Sequence, residues 1–176
     1  SAIEKEVNAL GKTFKAYQAD FSDRKSIYAF IEKMLAENTA IDILVNNAGY
    51  GLFGALEDMS LDEIKRQFET NLFGAMRTIK EVLPSMRKQR NGIIINVTSL
   101  AGVVGIPAEC IYVSTKFALE GLSESISYEL QPYGIKVILI EPGVINTSFV
   151  PNIKFPNPID NKLQESLLRD EKKEES

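Results

Sequence analysis

The chain has 176 residues, of which 44% are hydrophobic and 25% charged, so it can bury the core of one globular domain. Its 20 Lys and Arg residues stand against 24 Asp and Glu, a net charge of -4 with no basic block, which argues against nucleic acid as a partner. No apolar run approaches the roughly 20 residues of a membrane span, and a chain with no histidine and only Cys110 is expected to hold no zinc or internal disulfide and to occupy a reducing, cytoplasmic compartment.

Helix and strand patterns alternate along the chain. Helices are predicted over residues 1–10, 23–38, 61–90 and 111–131. Strands are predicted over residues 13–20, 41–46, 93–97 and 135–141. The boundaries carry turn and capping residues, namely Gly11, Ser22, the capping box Ser60-Leu61-Asp62-Glu63, Asn91-Gly92, and Pro132 with Gly134. A short helix over 160–169 and a charged tail, frayed over about 170–176, complete the pattern.

The predicted strands are short and mostly apolar on both faces, which indicates a parallel sheet covered by helices on both sides. Ligands of such sheets bind outside the carboxyl ends of the strands. Polar and glycine-containing clusters follow the predicted strands at Asp20, residues 46–49, Ser99, and Pro142-Gly143. We therefore expect one edge of the sheet to carry the functional site.

Tyr112 and Lys116 stand four residues apart at the start of a predicted helix, so their side chains leave the same face. A nearby lysine cation favours the phenolate and is expected to lower the tyrosine pKa from its ordinary value of about 10. Ser99, at the end of a strand, can donate a hydrogen bond to a reacting oxygen. The three residues predict proton transfer to an alcohol or carbonyl oxygen, although the bare spacing also fits an ordinary amphipathic helix.

Several motifs occur in a fixed order: Asn46-Asn47-Ala48-Gly49, Asn71, Ser99, Tyr112-x-x-x-Lys116, and Pro142-Gly143-x-x-x-Thr147. Together they resemble the short-chain dehydrogenase/reductase family, in the branch that carries NNAG, from about residue 13 to 149. The segment over residues 116–125, KFALEGLSES, further resembles the corresponding segment of hydroxysteroid and retinol dehydrogenase-like members.

The resemblance implies an α/β, doubly wound parallel sheet of the Rossmann type, in one partial domain over residues 1–176. The family's strand order is 3-2-1-4-5-6-7, and neither its glycine-rich first βαβ turn nor its seventh strand is recognisable here. We therefore expect an incomplete sheet that lacks the first two strands and the C-terminal strand. These residues are expected to be a portion of a longer protein or a truncated form, and to bind dinucleotide poorly by themselves.

Residue roles follow from the resemblance. Tyr112 would be the general acid/base, Lys116 would assist it, Ser99 would orient the substrate oxygen, and Asn71 would hold a relay water through its backbone. The residues expected to bind NAD or NADP are Asp20, Phe21, Asn47, Ala48, Gly49, Tyr112, Lys116, Pro142, Gly143 and Thr147.

Structural alternatives stay open for several of these residues. Asn46 and Asn47 can instead tie neighbouring strands together, and Asp20 can be a helix-entry residue. Asn71 can be a solvated helix residue. Gly143 and Thr147 can belong to an ordinary turn.

Residues 49–54, GYGLFG, match the G-x-G-x-x-G pattern of a dinucleotide phosphate loop. Such a loop should run directly into a helix, whereas the next helix signal here is delayed to Ser60. We interpret the match as coincidental, with Gly51 and Gly54 giving the loop room beside a substrate.

The substrate is expected to be an apolar ketone or secondary alcohol. The resemblance places an apolar set in front of Tyr112, namely Leu52, Val103, Val104, Ile106, Pro107, Phe149 and Phe155, although several of these can be core residues. The long helices over 61–90 and 111–131, with Phe68, Leu72, Phe117 and Leu122, are expected to pair in a homodimer or homotetramer.

The leading functional hypothesis is a nicotinamide-dependent oxidoreductase. Two alternatives stay open: an epimerase or dehydratase of the extended branch, and a catalytically silent cofactor-binding or regulatory relative.

Overall fold

The computed structural model describes residues 2–21, 23–37, 40–143, 145 and 149–157. The helices are α1 (Ala2–Ala9), α2 (Arg24–Glu37), α3 (Leu61–Phe68), α4 (Gly74–Gln89) and α5 (Cys110–Leu130), and the strands are β1 (Ile43–Asn46), β2 (Gly92–Val97) and β3 (Ile135–Ile140). Short 3₁₀ turns cover Leu56–Asp58, Leu100–Gly102, Gln131–Tyr133 and Val150–Asn152. The predicted Ser22 cap, the helix over 160–169 and the tail lie outside the described residues.

The three strands form a parallel sheet in the order β1-β2-β3. In the register, Val45 lies opposite Ile95, which in turn lies opposite Ile138. Strands alternating with helices in this way make an α/β, Rossmann-like fold. The order agrees with that expected for the fourth, fifth and sixth strands of the resembled family.

One face of the sheet carries the core. A buried cluster joins helix α4 to strands β2 and β3 and to the end of α5, and it consists of Ile79, Val82, Met86, Ile94, Leu130 and Ile135. Ile94 is completely buried at the centre of the middle strand. The burial of these side chains stabilises the helices against the sheet.

A chain of polar side chains crosses the same buried face. The Asn46 Nδ2 donates to Asn96 Oδ1 at 2.8 Å, and the Thr78 hydroxyl donates to Asn46 Oδ1 at 2.6 Å. The Asn96 Nδ2 donates to Ser123 Oγ at 2.8 Å. Because every member has a partner, the network links α4, β1, β2 and α5 without leaving these amide groups unsatisfied.

The opposite face of the sheet is exposed. Its apolar residues include Ile43 and Val45 on β1, which are 55% and 54% exposed, and Ile138 and Ile140 on β3, which are 40% and 44% exposed. Among the described residues of this incomplete sheet, these apolar side chains therefore lack the helical cover that the other face has. A run that is apolar on both sides indicates only which faces can be buried, since cover must come from other elements.

The predicted strand over residues 13–20 is also wrong, because residues 12–20 form no strand. The segment instead packs on α2, where the rings of Tyr17 and Phe30 lie 5.8 Å apart and Lys15 pairs with Glu37 at 2.9 Å. A strand exists only through hydrogen bonds to a neighbour, and no described strand pairs with this segment.

The predicted long helix over 61–90 begins as expected and is then interrupted. Ser60 and Glu63 form the capping box, since Ser60 Oγ accepts from the Glu63 N–H at 3.3 Å and Glu63 Oε2 accepts from the Ser60 N–H at 3.0 Å. A π-helical segment, Glu69–Phe73, separates α3 from α4. Such π segments frequently occur at functional sites.

None of the helices in the described part of the chain combines the length and apolar character needed to cross a membrane.

Candidate functional site

A cleft of about 390 Å³ opens at the carboxyl ends of the three strands. Asn47 and Gly49 line it after β1, Ser99 after β2, and Pro142 and Gly143 after β3. Backbone hydrogen bonds hold the last two loops together, from the Thr98 N–H to the Ile140 carbonyl at 2.8 Å and from the Leu100 N–H to the Pro142 carbonyl at 3.0 Å. The cleft therefore lies at the edge of the sheet where the sequence predicts the site.

Tyr112 projects into this cleft from the first turn of α5 and is only 6% exposed. Its ring lies between Phe53 and Phe149, with ring centroids 5.8 Å and 5.7 Å away. Ser99 lines the same cleft, and its side chain lowers the pKa of the Tyr112 phenol. The Ser99 Oγ accepts from the Ala101 N–H at 3.1 Å, which leaves the serine hydroxyl proton available for an acceptor in the cleft.

Lys116 lies one helical turn further along α5, on the same face as Tyr112. Its Nζ donates to the Val97 carbonyl at 2.9 Å and lies 5.6 Å from the centroid of the Tyr112 ring. The structure thus brings together Ser99, Tyr112 and Lys116, as their spacing predicts.

The electrostatics differ from the expectation that the lysine lowers the tyrosine pKa. Burial raises the pKa of Tyr112 above its ordinary value and outweighs the effect of the Ser99 side chain, which lowers it, while the Glu109 carboxylate adds to the increase. Burial likewise lowers the pKa of Lys116 to about 8, partly opposed by the charge of Glu120. The expectation is wrong because desolvation penalises both charged forms and cannot be read from spacing.

Asn71 lies in the π-helical segment and is 2% exposed, so it is not a solvated helix residue. Its Nδ2 donates to the Tyr50 carbonyl at 2.9 Å and to Thr115 Oγ1 at 3.1 Å. Its Oδ1 accepts from the Tyr50 N–H at 3.1 Å. The side chain therefore fixes the loop after β1 to helix α5.

Asn46 and the glycine-rich stretch have structural explanations. Asn46 ties β1 to β2 through Asn96, as its alternative interpretation proposed. Residues 47–55 form a loop, and α3 begins only at Leu61 after a 3₁₀ turn, so the G-x-G-x-x-G match does not run into a helix. This agrees with a coincidental match.

Other predicted cofactor residues do not gather in the cleft. Asp20 lines a separate cavity of about 540 Å³ together with Tyr50, Arg66 and Lys154. Phe21 packs beside Gly74, where an added Cβ would come within 2.9 Å of the phenyl ring. Ala48 is exposed and does not line the cleft, and Thr147 lies outside the described residues.

The apolar lining is partly different from the prediction. Ile106 and Phe149 line the cleft, whereas Leu52 is buried in a core cluster with Met59 and Ile111. The other four predicted lining residues are exposed and do not line the cleft, namely Val103, Val104, Pro107 and Phe155. Which loop residues line the cleft depends on how each loop folds back, and the spacing of residues in the sequence does not encode this.

Sequence reasoning missed several lining residues, among them Phe53, Glu109, Ile145, Val150 and Ile153. The segment 149–157 brings some of them to the cleft because Lys154 joins the loop after β1, donating its N–H to the Gly51 carbonyl at 2.8 Å and accepting from the Phe53 N–H at 2.9 Å. Glu109 carried one usable signal, its position three residues before Tyr112 on the same helix face.

The fold and the Ser-Tyr-Lys cluster together define a Rossmann-like protein with a polar site at the carboxyl end of its sheet. The family model described as short chain dehydrogenase matches residues 1–156. The chain belongs to the short-chain dehydrogenase family.

Named relatives and solved structures agree with this assignment. A "3-ketodihydrosphingosine reductase" from Bacteroides thetaiotaomicron is 44% identical over 133 residues, covering 76% of this chain and 49% of the relative. Human "Retinol dehydrogenase 8" is 40% identical over 141 residues, covering 80% and 44%, which supports the expected similarity to retinol dehydrogenases. A crystal structure of a metagenomic short-chain oxidoreductase in complex with NADP has a TM-score of 0.78 and 34% identity, covering 82% of this chain and 65% of the other. The chain spans about half the length of the curated relatives it matches.

Proposed function

We propose that this chain carries the proton-transfer site of a nicotinamide-dependent oxidoreductase that interconverts an apolar ketone and a secondary alcohol. The observation that carries the proposal is the buried Tyr112 side chain, which lines one largely apolar cleft together with Ser99 and Lys116. A phenol in such a position can pass a proton to or from a bound oxygen.

Each residue of the cluster has a role that its contacts support. Tyr112 is the general acid when a ketone is reduced and the general base when an alcohol is oxidised. Ser99 holds the substrate oxygen beside the phenol by a hydrogen bond. Asn71 acts at a distance, because its side chain fixes the loop that borders the cleft.

The cofactor proposed is NAD or NADP, which supplies the hydride chemistry when it is bound. The fit is supported by Gly49, where an added Cβ would lie 3.1 Å from Asn71 Oδ1 and 4.0 Å from Lys116 Nζ, so a side chain there would press on Asn71 and narrow the cleft. Lys116 uses one N–H on Val97 and, as an ammonium, has two more for ribose hydroxyls. Asn47, Pro142 and Gly143 line the rest of this part of the cleft.

The substrate class follows from the lining. Phe53, Ile106, Phe149, Val150 and Ile153 surround the space around Tyr112 and favour an apolar substrate. The names of the reductase and retinol dehydrogenase relatives are consistent with a carbonyl or alcohol of this kind.

Self-association is proposed as well. The helical segments over 61–89 and 110–130 carry apolar side chains outside the core, including Phe117, which is 45% exposed, and the partly buried Leu72 and Leu122. Pairing of these helices would produce a homodimer or homotetramer, whereas sedimentation as a monomer at all concentrations would contradict it.

The test, made in the complete protein, compares Tyr112→Phe with Tyr128→Phe, which alters an exposed tyrosine of the same helix. Consumption of NADH and NADPH is followed with apolar ketones, and binding of each dinucleotide is measured separately. Tyr112→Phe is expected to lower turnover by at least about 100-fold with dinucleotide binding retained, and Tyr128→Phe to leave turnover unchanged. Equal turnover by the Tyr112→Phe variant would refute the proposal.

A further inference from the structure

Glu109 occupies the position before α5, three residues ahead of Tyr112, and its side chain lines the same cleft. The backbone is fixed, since the Glu109 N–H donates to the Ile106 carbonyl at 3.2 Å and the Glu109 carbonyl accepts from the Val113 N–H at 2.8 Å. A separation of three residues corresponds to about 4.5 Å along a helix axis and places both side chains on one face. Both side chains line the same cleft, and the Glu109 carboxylate is near enough for its charge to act on the Tyr112 phenol.

The Glu109 carboxylate makes no hydrogen bond or ion pair within the described part of the chain, and it does not cap the helix. Lys116 is the one lysine or arginine among the described lining residues, and its ammonium is bound to the Val97 carbonyl, with Glu120 as its charged neighbour. Burial raises the pKa of Glu109, and its negative charge raises that of Tyr112. An uncompensated negative charge therefore borders the cleft.

The surroundings make this charge selective. Most of the neighbouring lining is apolar, from Ile106 and Phe149 to Ile153. A partly desolvated carboxylate in such surroundings gains from a cationic partner by a charge-assisted hydrogen bond, and it disfavours a second negative charge. An uncharged apolar ligand would be affected little.

We propose that Glu109 is a specificity-determining residue that selects apolar carbonyl or alcohol substrates carrying an ammonium group near the reacting oxygen. That the substrate has a reacting oxygen depends on the proposed oxidoreductase function, whereas recognition of its ammonium group depends on Glu109 alone. The acidic counterparts of the same substrates are rejected by the same charge.

The experiment measures binding of three probes of equal chain length, octylammonium, octanol and octanoate, to the full chain at neutral pH. Methyl NMR separates binding in the cleft, reported by Ile106 and Ile153, from binding on the exposed sheet face, reported by Ile138. The variant is Glu109→Gln, and the matched control is Glu124→Gln, which neutralises an exposed carboxylate of the same helix.

Glu109→Gln is expected to weaken octylammonium binding in the cleft about tenfold, to change octanol binding less than about twofold, and to strengthen octanoate binding. Glu124→Gln is expected to change none of them. Octylammonium binding that is insensitive to Glu109→Gln, or weakened equally with octanol, would overturn the proposal.

The two proposals fail separately. If Tyr112→Phe keeps full turnover, the oxidoreductase assignment is lost while the order of probe affinities still tests Glu109. If turnover depends on Tyr112 but the probe order ignores Glu109, only the substrate class is refuted.

Discussion

The Asn71 side chain holds both polar backbone atoms of Tyr50, donating from Nδ2 to the carbonyl at 2.9 Å and accepting at Oδ1 from the N–H at 3.1 Å. A third contact, from Nδ2 to the Thr115 hydroxyl at 3.1 Å, extends to helix α5, where that hydroxyl donates to the Tyr112 carbonyl at 2.8 Å. A single buried amide thus connects the loop after β1 with the helix that carries the tyrosine.

Replacing Asn71 by alanine is expected to lower the free energy of unfolding by about 1–3 kcal/mol, because it removes three hydrogen bonds and leaves the Tyr50 N–H without a partner, while Gln67 still donates to the Tyr50 carbonyl at 3.0 Å and Thr115 to the Tyr112 carbonyl. Urea denaturation measures the loss. The control Thr70→Ala removes an exposed hydroxyl that bonds the Arg66 carbonyl in the neighbouring turn and should cost less than about 1 kcal/mol. Similar losses for the two variants would contradict a special contribution of Asn71.

Ser99 and Glu109 are expected to move the pKa of Tyr112 in opposite directions. Ser99→Ala should raise this pKa further, because a polar side chain that favours the phenolate is removed, and Glu109→Gln should lower it, because a nearby negative charge is removed. Ultraviolet absorbance titration, taken as the difference from Tyr112→Phe, isolates this one phenol. Shifts of the same sign in both variants would disprove the assignment of causes.

Lys116 should make stability depend on alkaline pH. The pKa of Lys116 is about 8 in the folded chain, whereas its ordinary value, which applies to the unfolded chain, is 10.5. The folded chain therefore releases this proton first as the pH rises. The cost of burying the charge is complete below pH 8 and disappears toward pH 10.5. Between these limits the free energy of unfolding of the unmodified chain should therefore rise by roughly 3 kcal/mol relative to that of the Lys116→Met variant. A difference that stays constant with pH would exclude this effect.

Two glycines near α5 should respond to alanine with opposite signs. Gly134 has a φ of 70°, and an added Cβ would meet the Arg90 carbonyl oxygen at 2.6 Å, so Gly134→Ala should destabilise the chain by about 1–3 kcal/mol. Gly121 lies inside α5 with no atom within 4 Å of an added Cβ, so Gly121→Ala should stabilise it by about 0.5–1 kcal/mol. Thermal unfolding of both variants checks the pair, and equal signs would be the contradictory result.

What could be predicted from the sequence was local. Tyr112 and Lys116 share a face because helical geometry fixes a four-residue spacing, and Ser99 joins them because parallel strands end at one edge. The capping box at Ser60 and Glu63 was equally legible, since it depends on four consecutive residues.

The failures arose where a property depends on distant parts of the chain. Residues 13–20 are apolar enough for a strand but find no strand partner among the described residues. Leu52 is apolar enough for the cleft but is taken up by a core cluster. The pKa of Tyr112 is shifted upward and not downward as expected, because the ring is buried against Phe53 and Phe149, which approach from separate loops.

The pairing of Asn46 with Asn96 has a consequence for how the strands align. Sliding β1 by one residue along β2 would turn Asn46 toward the uncovered side and bring Val45 opposite Asn96, so Asn46 would lose its hydrogen bonds to both Asn96 and Thr78. Isoleucine and valine side chains tolerate many alignments, because one aliphatic contact is much like the next. The two asparagines select a single register of β1 on β2, and so they determine which loop residues lie beside Tyr112.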